Sequence, residues 1–421
     1  MRLPPGWCIE PSTRAFEPPK PLPPPPAVNR VPVEIWLYIL SFIPDRCKHV
    51  YQRVNRLLHQ IALDEIYREL CFVNPRVINV LRAKRKSYIR DRVRHIHIQP
   101  SFFPITRSYL SVFERRPTVG QLEIVGKSLA ALTRVNQVTN TLHKYPHSSL
   151  ASPFFQALWM NFGPILQTLS VHLTPENLEL FLDPAVATEL RCLTTLEVRF
   201  CDTRTSTSIE HNRDIIRSTL LPFTQVLCKY LTSLTICTST KTYLGQFFNG
   251  VGYFPRSKRL KLCVFVQEDV LEEWDPPINF INRHAALIED LTVTDALGLR
   301  AYRKWVHETL AYHHLLAVRK LSIDLYYNSA GNPHYPTDLK MLPSLDTLVL
   351  TGQVLQQSLI HETLPTNGRL IRRLNLIVDF ISAKLVNTLA GAMPGLEELR
   401  LQYTQNPVEN EASLPTLFSY N

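Results

Sequence analysis

Residues 396–401 read Leu-Glu-Glu-Leu-Arg-Leu, with apolar side chains at the first, fourth and sixth positions. Side chains of an extended strand alternate between two faces, so the fourth and sixth positions share one buried face. The same pattern, apolar-x-x-Leu-x-apolar, recurs along the chain, and each occurrence predicts one short strand. The central residues of these predicted strands are Ile96, Leu122, Leu169, Leu196, Leu234, Leu260, Leu291, Leu321, Leu348, Leu374 and Leu399.

The spacing of the predicted strands indicates a repeat architecture. Most of the intervals are close to the ~20–29 residues of a leucine-rich repeat. The long interval between Leu122 and Leu169 leaves room for one degenerate repeat near residues 138–150. These repeats are therefore expected to be irregular in length.

The sequence between the predicted strands has helical character. Ser382 is a good N-cap for a helix over residues 383–393, and Pro394 ends that helix before the next strand. Residues 301–316 show a similar apolar spacing. A strand–helix unit of this kind buries its apolar face only against its neighbours. We therefore predict an α/β fold in which residues 93–403 form an irregular leucine-rich-repeat solenoid.

A separate helical unit precedes the repeats. Residues 31–43 read Val-Pro-Val-Glu-Ile-Trp-Leu-Tyr-Ile-Leu-Ser-Phe-Ile, an apolar stripe at helical spacing that starts beside Pro32 and is ended by Pro44. Two further short helices are predicted between Val50 and Leu70. Three short helices bury little surface by themselves, so this unit is expected to need a partner.

Residues 31–70 resemble an F-box. Together with the repeats, the chain is similar to F-box proteins that carry C-terminal leucine-rich repeats, and the unit looks like that of many fungal F-box proteins. The chain departs from the common pattern at Lys48 and His49, where many F-boxes have a Leu-Leu pair. The residues that carry the resemblance are Val31, Pro32, Glu34, Ile35, Ile39, Leu40, Phe42, Ile43, Pro44, Val54, Leu57, Leu58 and Ile61.

The resemblance implies a substrate-recognition subunit of an SCF-type ubiquitin ligase, which directs proteins to proteasomal degradation. The F-box would dock on a Skp-family adaptor, the adaptor would join it to a cullin, and the repeats would bind an unknown substrate protein. Such a receptor is not an enzyme, because it only raises the effective concentration of the substrate near the ubiquitin carrier. The implied adaptor-binding residues are Pro32, Ile35, Ile39, Leu40, Ile43, Pro44, Val54 and Leu57.

Substrate contacts are expected on the strand face opposite the leucines. Solenoid proteins use an extended surface of this kind for binding. Both signs of charge occur there, so the pattern indicates no particular class of substrate. The candidate substrate-binding residues are Arg199, Lys261, Lys320, Asp324, Arg373 and Arg400.

The complete domain order follows from these patterns. Residues 1–29 contain ten prolines, which favour a polyproline-like or disordered tail. The predicted order is this Pro-rich tail over 1–29, the F-box over 30–71, a basic linker or helix over 72–92, the repeats over 93–403 and a C-terminal tail over 404–421.

Basic charge is concentrated in one short segment. The chain has a net charge of +10, and residues 76–94 hold eight basic residues against one acidic residue, Asp91. Residues 101–421 are nearly neutral, so we do not expect the repeats to bind nucleic acid. An alternative function remains open, namely a nuclear, non-catalytic scaffold that binds nucleic acid or protein through residues 76–94.

The sequence contains no recognisable catalytic or metal-binding motif. His95 and His97 alternate on a predicted strand, where a solvated or pairing role is expected and not a ligand pair. The eight cysteines include no CxxC pair, and the start of the chain lacks the apolar run of a secretion signal, so reduced thiols are expected. We predict no cofactor, no metal and no membrane span, and a location in the cytoplasm, the nucleus or both.

Overall fold

The computed structural model describes residues 31–44, 47, 50, 56–73, 77, 87–103, 119–142, 151–201, 209–238, 244–264, 275–295, 315–324, 342–355, 370–378 and 381–403. The chain divides into two compact units, Met1–Ile66 and Tyr67–Asn421. The two predicted tails, over 1–29 and 404–421, and nearly all of the predicted helix over 301–316 fall outside the described residues.

The first unit contains two described helices, α1 over Val33–Ser41 and α2 over Arg56–Ile66. Helix α1 begins directly after Pro32, whose ring fixes φ. Proline lacks a backbone N–H, but this costs nothing at a helix start, where the first N–H groups have no partner within the helix. Helix α2 continues without a break to Ile66, so the described part of the predicted third helix belongs to α2. Among the described residues of this unit, the buried apolar side chains are Leu40, Leu58 and Ala62.

The second unit is built on one 12-stranded sheet whose strands follow chain order, each parallel to the next. This topology resembles a leucine-rich-repeat solenoid, since each strand pairs with the strands of the repeats before and after it. The strands are β1 (Glu69–Phe72), β2 (His95–Ile98), β3 (Gln137–Leu142), β4 (Thr168–Leu173), β5 (Thr195–Phe200), β6 (Ser233–Cys237), β7 (Arg259–Val264), β8 (Asp290–Asp295), β9 (Lys320–Asp324), β10 (Thr347–Leu355), β11 (Arg373–Val378) and β12 (Glu398–Tyr403).

Ten described α-helices and one π-helical segment, Ile216–Leu220, lie between the strands. Apolar residues of these helices pack with the inner face of the sheet in one continuous core. The helices of the second unit are α3 (Ser87–Arg90), α4 (Val119–Leu129), α5 (Ser152–Phe162), α6 (Leu178–Phe181), α7 (Pro184–Ala187), α8 (Ile209–Ile215), α9 (Leu221–Leu227), α10 (Gly245–Gly250), α11 (Asp275–His284) and α12 (Ala383–Ala392).

One register runs through the central residues of the described sheet, and the β10–β11 pair shifts register after Leu350. The central residue of every strand stands opposite the central residue of the next, so the repeated leucines form a single inward column. A second inward column lies two residues further along each strand. The central column consists of Leu70, Ile96, Val138, Leu169, Leu196, Leu234, Leu260, Leu291, Leu321, Leu348, Leu374 and Leu399.

A polar residue immediately before each strand links adjacent repeats through its backbone. The Thr194 carbonyl, for example, accepts hydrogen bonds from the Thr232 and Ser233 amides at 2.8 and 3.0 Å. The Thr232 carbonyl repeats this arrangement with Lys258 and Arg259 at the next strand. These paired bonds satisfy the turn amides at the sheet entrance and hold successive strands in one register.

The prediction of a strand around Leu122 is wrong, because residues 119–129 form helix α4. Val125 and Leu129 are both buried and lie one helical turn apart, on the face of α4 that packs into the core. Gly126 permits α4 to approach α5 closely, since a Cβ at this position would lie 2.9 Å from Ala157 Cβ. The strand of this repeat is β3, at the place where the sequence left room for a degenerate repeat.

The sheet also begins earlier than predicted. Residues 69–71, assigned from the sequence to the end of the F-box, form strand β1 together with Phe72. Leu70 and Phe72 stand opposite Ile96 and Ile98 of β2, so they continue the two inward columns. The basic linker predicted over 72–92 therefore lies between two paired strands, and helix α3 forms part of it.

Candidate interaction surfaces

The face of the sheet opposite the leucines is polar, and we call it the open face. It carries the alternate positions of each strand. Of the candidate substrate-binding residues, Arg199, Lys261, Lys320, Arg373 and Arg400 lie on it and are half-buried or exposed. Asp324 ends strand β9 in the same series of positions, and its side chain falls outside the described residues.

A hydrogen-bonded trio occupies the middle of the open face. Ser170 Oγ donates to Glu197 Oε2 at 2.8 Å, and Arg199 Nε donates to Glu197 Oε1. Burial alone raises the pKa of Glu197, but the hydrogen bonds from Ser170 and Arg199 outweigh it and the pKa is lowered overall. The carboxylate is therefore charged at neutral pH and holds the Arg199 guanidinium against the sheet.

Two thiols lie beside this trio on adjacent strands. Cys237 of β6 stands opposite Cys263 of β7, and Arg199 stands opposite Cys237. The hydrogen bond with Cys263 raises the pKa of the Cys237 thiol, as does burial. No disulfide joins the described cysteines, namely Cys47, Cys71, Cys192, Cys201, Cys228, Cys237 and Cys263.

Most cationic candidates towards the end of the sheet already have acidic neighbours. Lys320 Nζ lies 3.1 Å from Asp290 Oδ2 on the adjacent strand. Glu398 lies between Arg373, at 3.9 Å, and Arg400, at 2.7 Å. Exposed ion pairs of this kind contribute about 0–1 kcal/mol each, so a binding partner can exchange them at little cost.

Helix α1 exposes a broad apolar surface. Among the implied adaptor-binding residues, Ile35 and Ile39 are 48% and 42% exposed, whereas Leu40 is buried. Pro32 and Pro44 are exposed, and Ile43 and Leu57 are half-buried. Val54 falls outside the described residues. Five further apolar side chains of the same segment are exposed, namely Val33, Leu37, Tyr38, Phe42 and Val50.

A cluster of side chains with metal-ligand chemistry lies on the open face of β1 and β2, and sequence reasoning missed it. Cys71 Sγ donates to Glu69 Oε1 at 3.2 Å, and His97 Nδ1 lies 3.4 Å from the same oxygen. Burial raises the pKa of the Cys71 thiol to about 11, with a further contribution from the Glu69 carboxylate. The signal in the sequence is the alternation of apolar Leu70 and Phe72 with Glu69 and Cys71, and the helix predicted to end at Leu70 conceals it.

His95 stands next to this cluster. Its Nδ1 lies 3.8 Å from Glu69 Oε2, and its Nε2 lies 2.9 Å from Thr139 Oγ1. Burial lowers the pKa of His95. The rings of His95 and His97 are stacked, with centroids 6.2 Å apart and planes 4° from parallel. Both imidazoles therefore turn one nitrogen towards Glu69.

The basic segment contributes little to the described surface. Arg90, Arg92 and Arg94 lie at its described end, where an Arg92 N–H donates to the Tyr88 carbonyl. The residues Lys84, Arg85 and Lys86 fall outside the described residues.

Two solved structures are similar to this chain at low identity. The leucine-rich repeat-containing protein LegL7 from Legionella pneumophila matches with 13% identity and a TM-score of 0.37, over 79% of this chain and 90% of its own. An internalin, inlF, from Listeria monocytogenes matches with 11% identity and a TM-score of 0.27, over 74% of this chain and 68% of its own. No protein-family model and no curated protein matches the chain.

Among the described residues, no helix is both long enough and apolar enough to cross a bilayer.

Proposed function

We propose that this chain is the substrate-recognition subunit of an SCF-type ubiquitin ligase. The first unit docks on a Skp-family adaptor that leads to a cullin, and the repeats bind a substrate protein. The proposal combines the resemblance of residues 31–70 to an F-box with the repeat architecture of the second unit. The observation that carries it is the exposed apolar surface of α1.

Helix α1 exposes more apolar surface than is favourable for a helix that faces only water. Ile35 and Ile39 lie one turn apart and are both more than two-fifths exposed, while Leu40 faces inward. A contiguous apolar patch on a small helical unit is typical of a partner site. Burying a fully exposed isoleucine contributes about 1.5–3 kcal/mol, so burying one that is already about half covered stabilises the complex by about 1 kcal/mol.

The open face of the sheet is the proposed substrate surface. The inward columns hold the core, so the open-face side chains contribute little to it and are available for recognition. Ser170, Glu197 and Arg199 give this surface a rigid hydrogen-bonded centre, whereas the ion pairs of Arg373 and Arg400 lie nearer its edge. In this role the chain supplies binding and positioning, and it performs no chemistry itself.

The test is the affinity of a purified Skp-family adaptor for the full chain and for the double variant Ile35→Asp, Ile39→Asp, measured by calorimetry. Two desolvated isoleucines replaced by charges are expected to weaken binding by about 100-fold or more. Met160→Asp is the matched control. Met160 is 76% exposed on α5, so this variant also replaces an exposed apolar side chain by a carboxylate, but in the second unit.

Equal adaptor affinity of the wild-type chain and the double variant contradicts the proposal. So does the absence of adaptor binding by a wild-type chain whose thermal unfolding is cooperative. In the second case, salt-sensitive DNA binding that is lost on neutralising Lys84, Arg85 and Lys86 favours the scaffold function instead.

A further inference from the structure

We propose that Glu69, Cys71 and His97 form a binding site for a divalent transition metal, with Zn²⁺ as the best-matched ion. This site is independent of the proposed receptor function. It also departs from the expectation that the chain carries no metal site and that His95 and His97 are only solvated or paired with other groups.

The fold itself brings the three ligands together. Glu69 and Cys71 occupy alternate positions of β1, so both side chains lie on the open face. The register of the parallel pair sets Cys71 opposite His97 and Glu69 opposite His95. Adjacent strands lie about 4.8 Å apart, so ligand atoms from both strands reach one common point above the sheet.

Two of the three distances between the ligand atoms suit a tetrahedral ion. Bonds of about 2.0–2.3 Å at tetrahedral angles place neighbouring ligand atoms about 3.3–3.6 Å apart. Glu69 Oε1 lies 3.2 Å from Cys71 Sγ and 3.4 Å from His97 Nδ1. All three ligand atoms lie within 4.8 Å of one another.

The ligand types select the class of metal. A thiolate, an imidazole and a carboxylate together favour Zn²⁺ over Mg²⁺ or Ca²⁺, which require oxygen ligands. Three protein ligands leave a fourth position for water or for a group from a bound protein.

The outer contacts orient the imidazole correctly. His97 Nε2 lies 3.5 Å from Thr141 Oγ1, so an N–H at Nε2 can donate to the hydroxyl and leave Nδ1 free for the metal. A ligating histidine commonly has such a partner at its other nitrogen. His95 repeats the arrangement two residues earlier, with Nε2 against Thr139 and Nδ1 towards Glu69.

The test is metal binding by the full chain after reduction and treatment with a chelator. We expect one equivalent of Zn²⁺ to bind in competition with a chromophoric chelator. Substitution with Co²⁺ is expected to give a thiolate-to-metal charge-transfer band and the intense visible bands of a tetrahedral ion. Cys71→Ser and His97→Gln are each expected to weaken binding by about 100-fold or more, exceeding the 10–100-fold cost of losing an outer contact.

Cys192→Ser is the matched control, because Cys192 is an exposed thiol elsewhere in the second unit. Its affinity for Zn²⁺ is expected to equal that of the wild type. The absence of a charge-transfer band in the wild-type chain overturns the proposal, as does equal binding by the Cys71→Ser variant. Neither result bears on adaptor binding, so failure of this site and failure of the receptor function are distinguishable.

Discussion

The tautomer of His284 is fixed by two backbone groups. The Phe254 amide donates to His284 Nε2 at 2.9 Å, so that nitrogen must be an acceptor. The Nδ1–H then donates to the Phe280 carbonyl at 2.7 Å. The ring is buried and packs against Tyr253 and Phe280, which joins α11 to the segment before β7.

This environment makes stability depend on pH. Burial lowers the pKa of His284, and neighbouring Arg283 lowers it further, although the Phe280 carbonyl acts in the opposite sense. Below the unfolded pKa of about 6.5 the unfolded chain binds a proton that the folded chain excludes. We expect the free energy of unfolding to fall as the pH drops from about 6.5 through the folded pKa. Denaturant titrations of the wild type and of His284→Gln check this, and the same pH slope in both chains contradicts it.

At the scale of elements, a local capping signal is enough to predict one helix, whereas another helix depends on its tertiary contacts. Helix α12 was predicted from its N-cap, and Ser382 Oγ accepts a hydrogen bond from the Leu385 amide at 3.0 Å. Helix α4 was mistaken for a strand, because the apolar pair at Leu122 and Ile124 fits either structure. The contact of Gly126 with α5 and the burial of Val125 fit the helix alone.

The cap of α12 gives a quantitative test at this scale. Ser382→Ala removes the acceptor for the Leu385 amide and is expected to lower the free energy of unfolding by about 1 kcal/mol. Ser382→Asp keeps an acceptor at the same place and is expected to remain within a few tenths of a kcal/mol of the wild type. Chemical denaturation measures both changes. An equal loss in both variants shows that the cap is not the cause.

At the scale of the whole molecule, each repeat is stabilised by its neighbours along the sheet. Strands in the middle of the sheet have a partner on both sides, whereas β12 pairs on one side among the described residues. The central column shows the consequence, since Leu234 is buried and Leu399 is 38% exposed. The same leucine position therefore contributes differently along the solenoid.

Truncation of this column tests the difference. Leu234→Ala is expected to cost about 2–5 kcal/mol of unfolding free energy, because it leaves a cavity between repeats. Leu399→Ala is expected to cost less than about 2 kcal/mol, because the side chain is already partly hydrated. Comparing the denaturation midpoints of the two variants measures this. A larger loss at Leu399 would mean that the end of the sheet is the more tightly packed region.

The sequence by itself determined the repeat architecture, because the fourth and sixth positions of each pattern mark one strand and its buried face. Leu169, Leu196 and Leu234 could be placed in register from their position in the repeated pattern, and their open-face neighbours such as Arg199 followed from strand alternation. Ser382 likewise determined where α12 begins. These features depend on residues close in the chain, where side-chain periodicity and backbone hydrogen bonding are local.

Only the tertiary structure decided where the sheet begins and which polar groups meet on it. Strand β1 is four residues long and carries too little pattern to separate it from a helix end. Its strand character follows from pairing with β2, across more than twenty residues of chain. The meeting of Glu69, Cys71 and His97 follows from the same pairing. Contacts between strands are set by register and packing, which no single stretch of sequence contains.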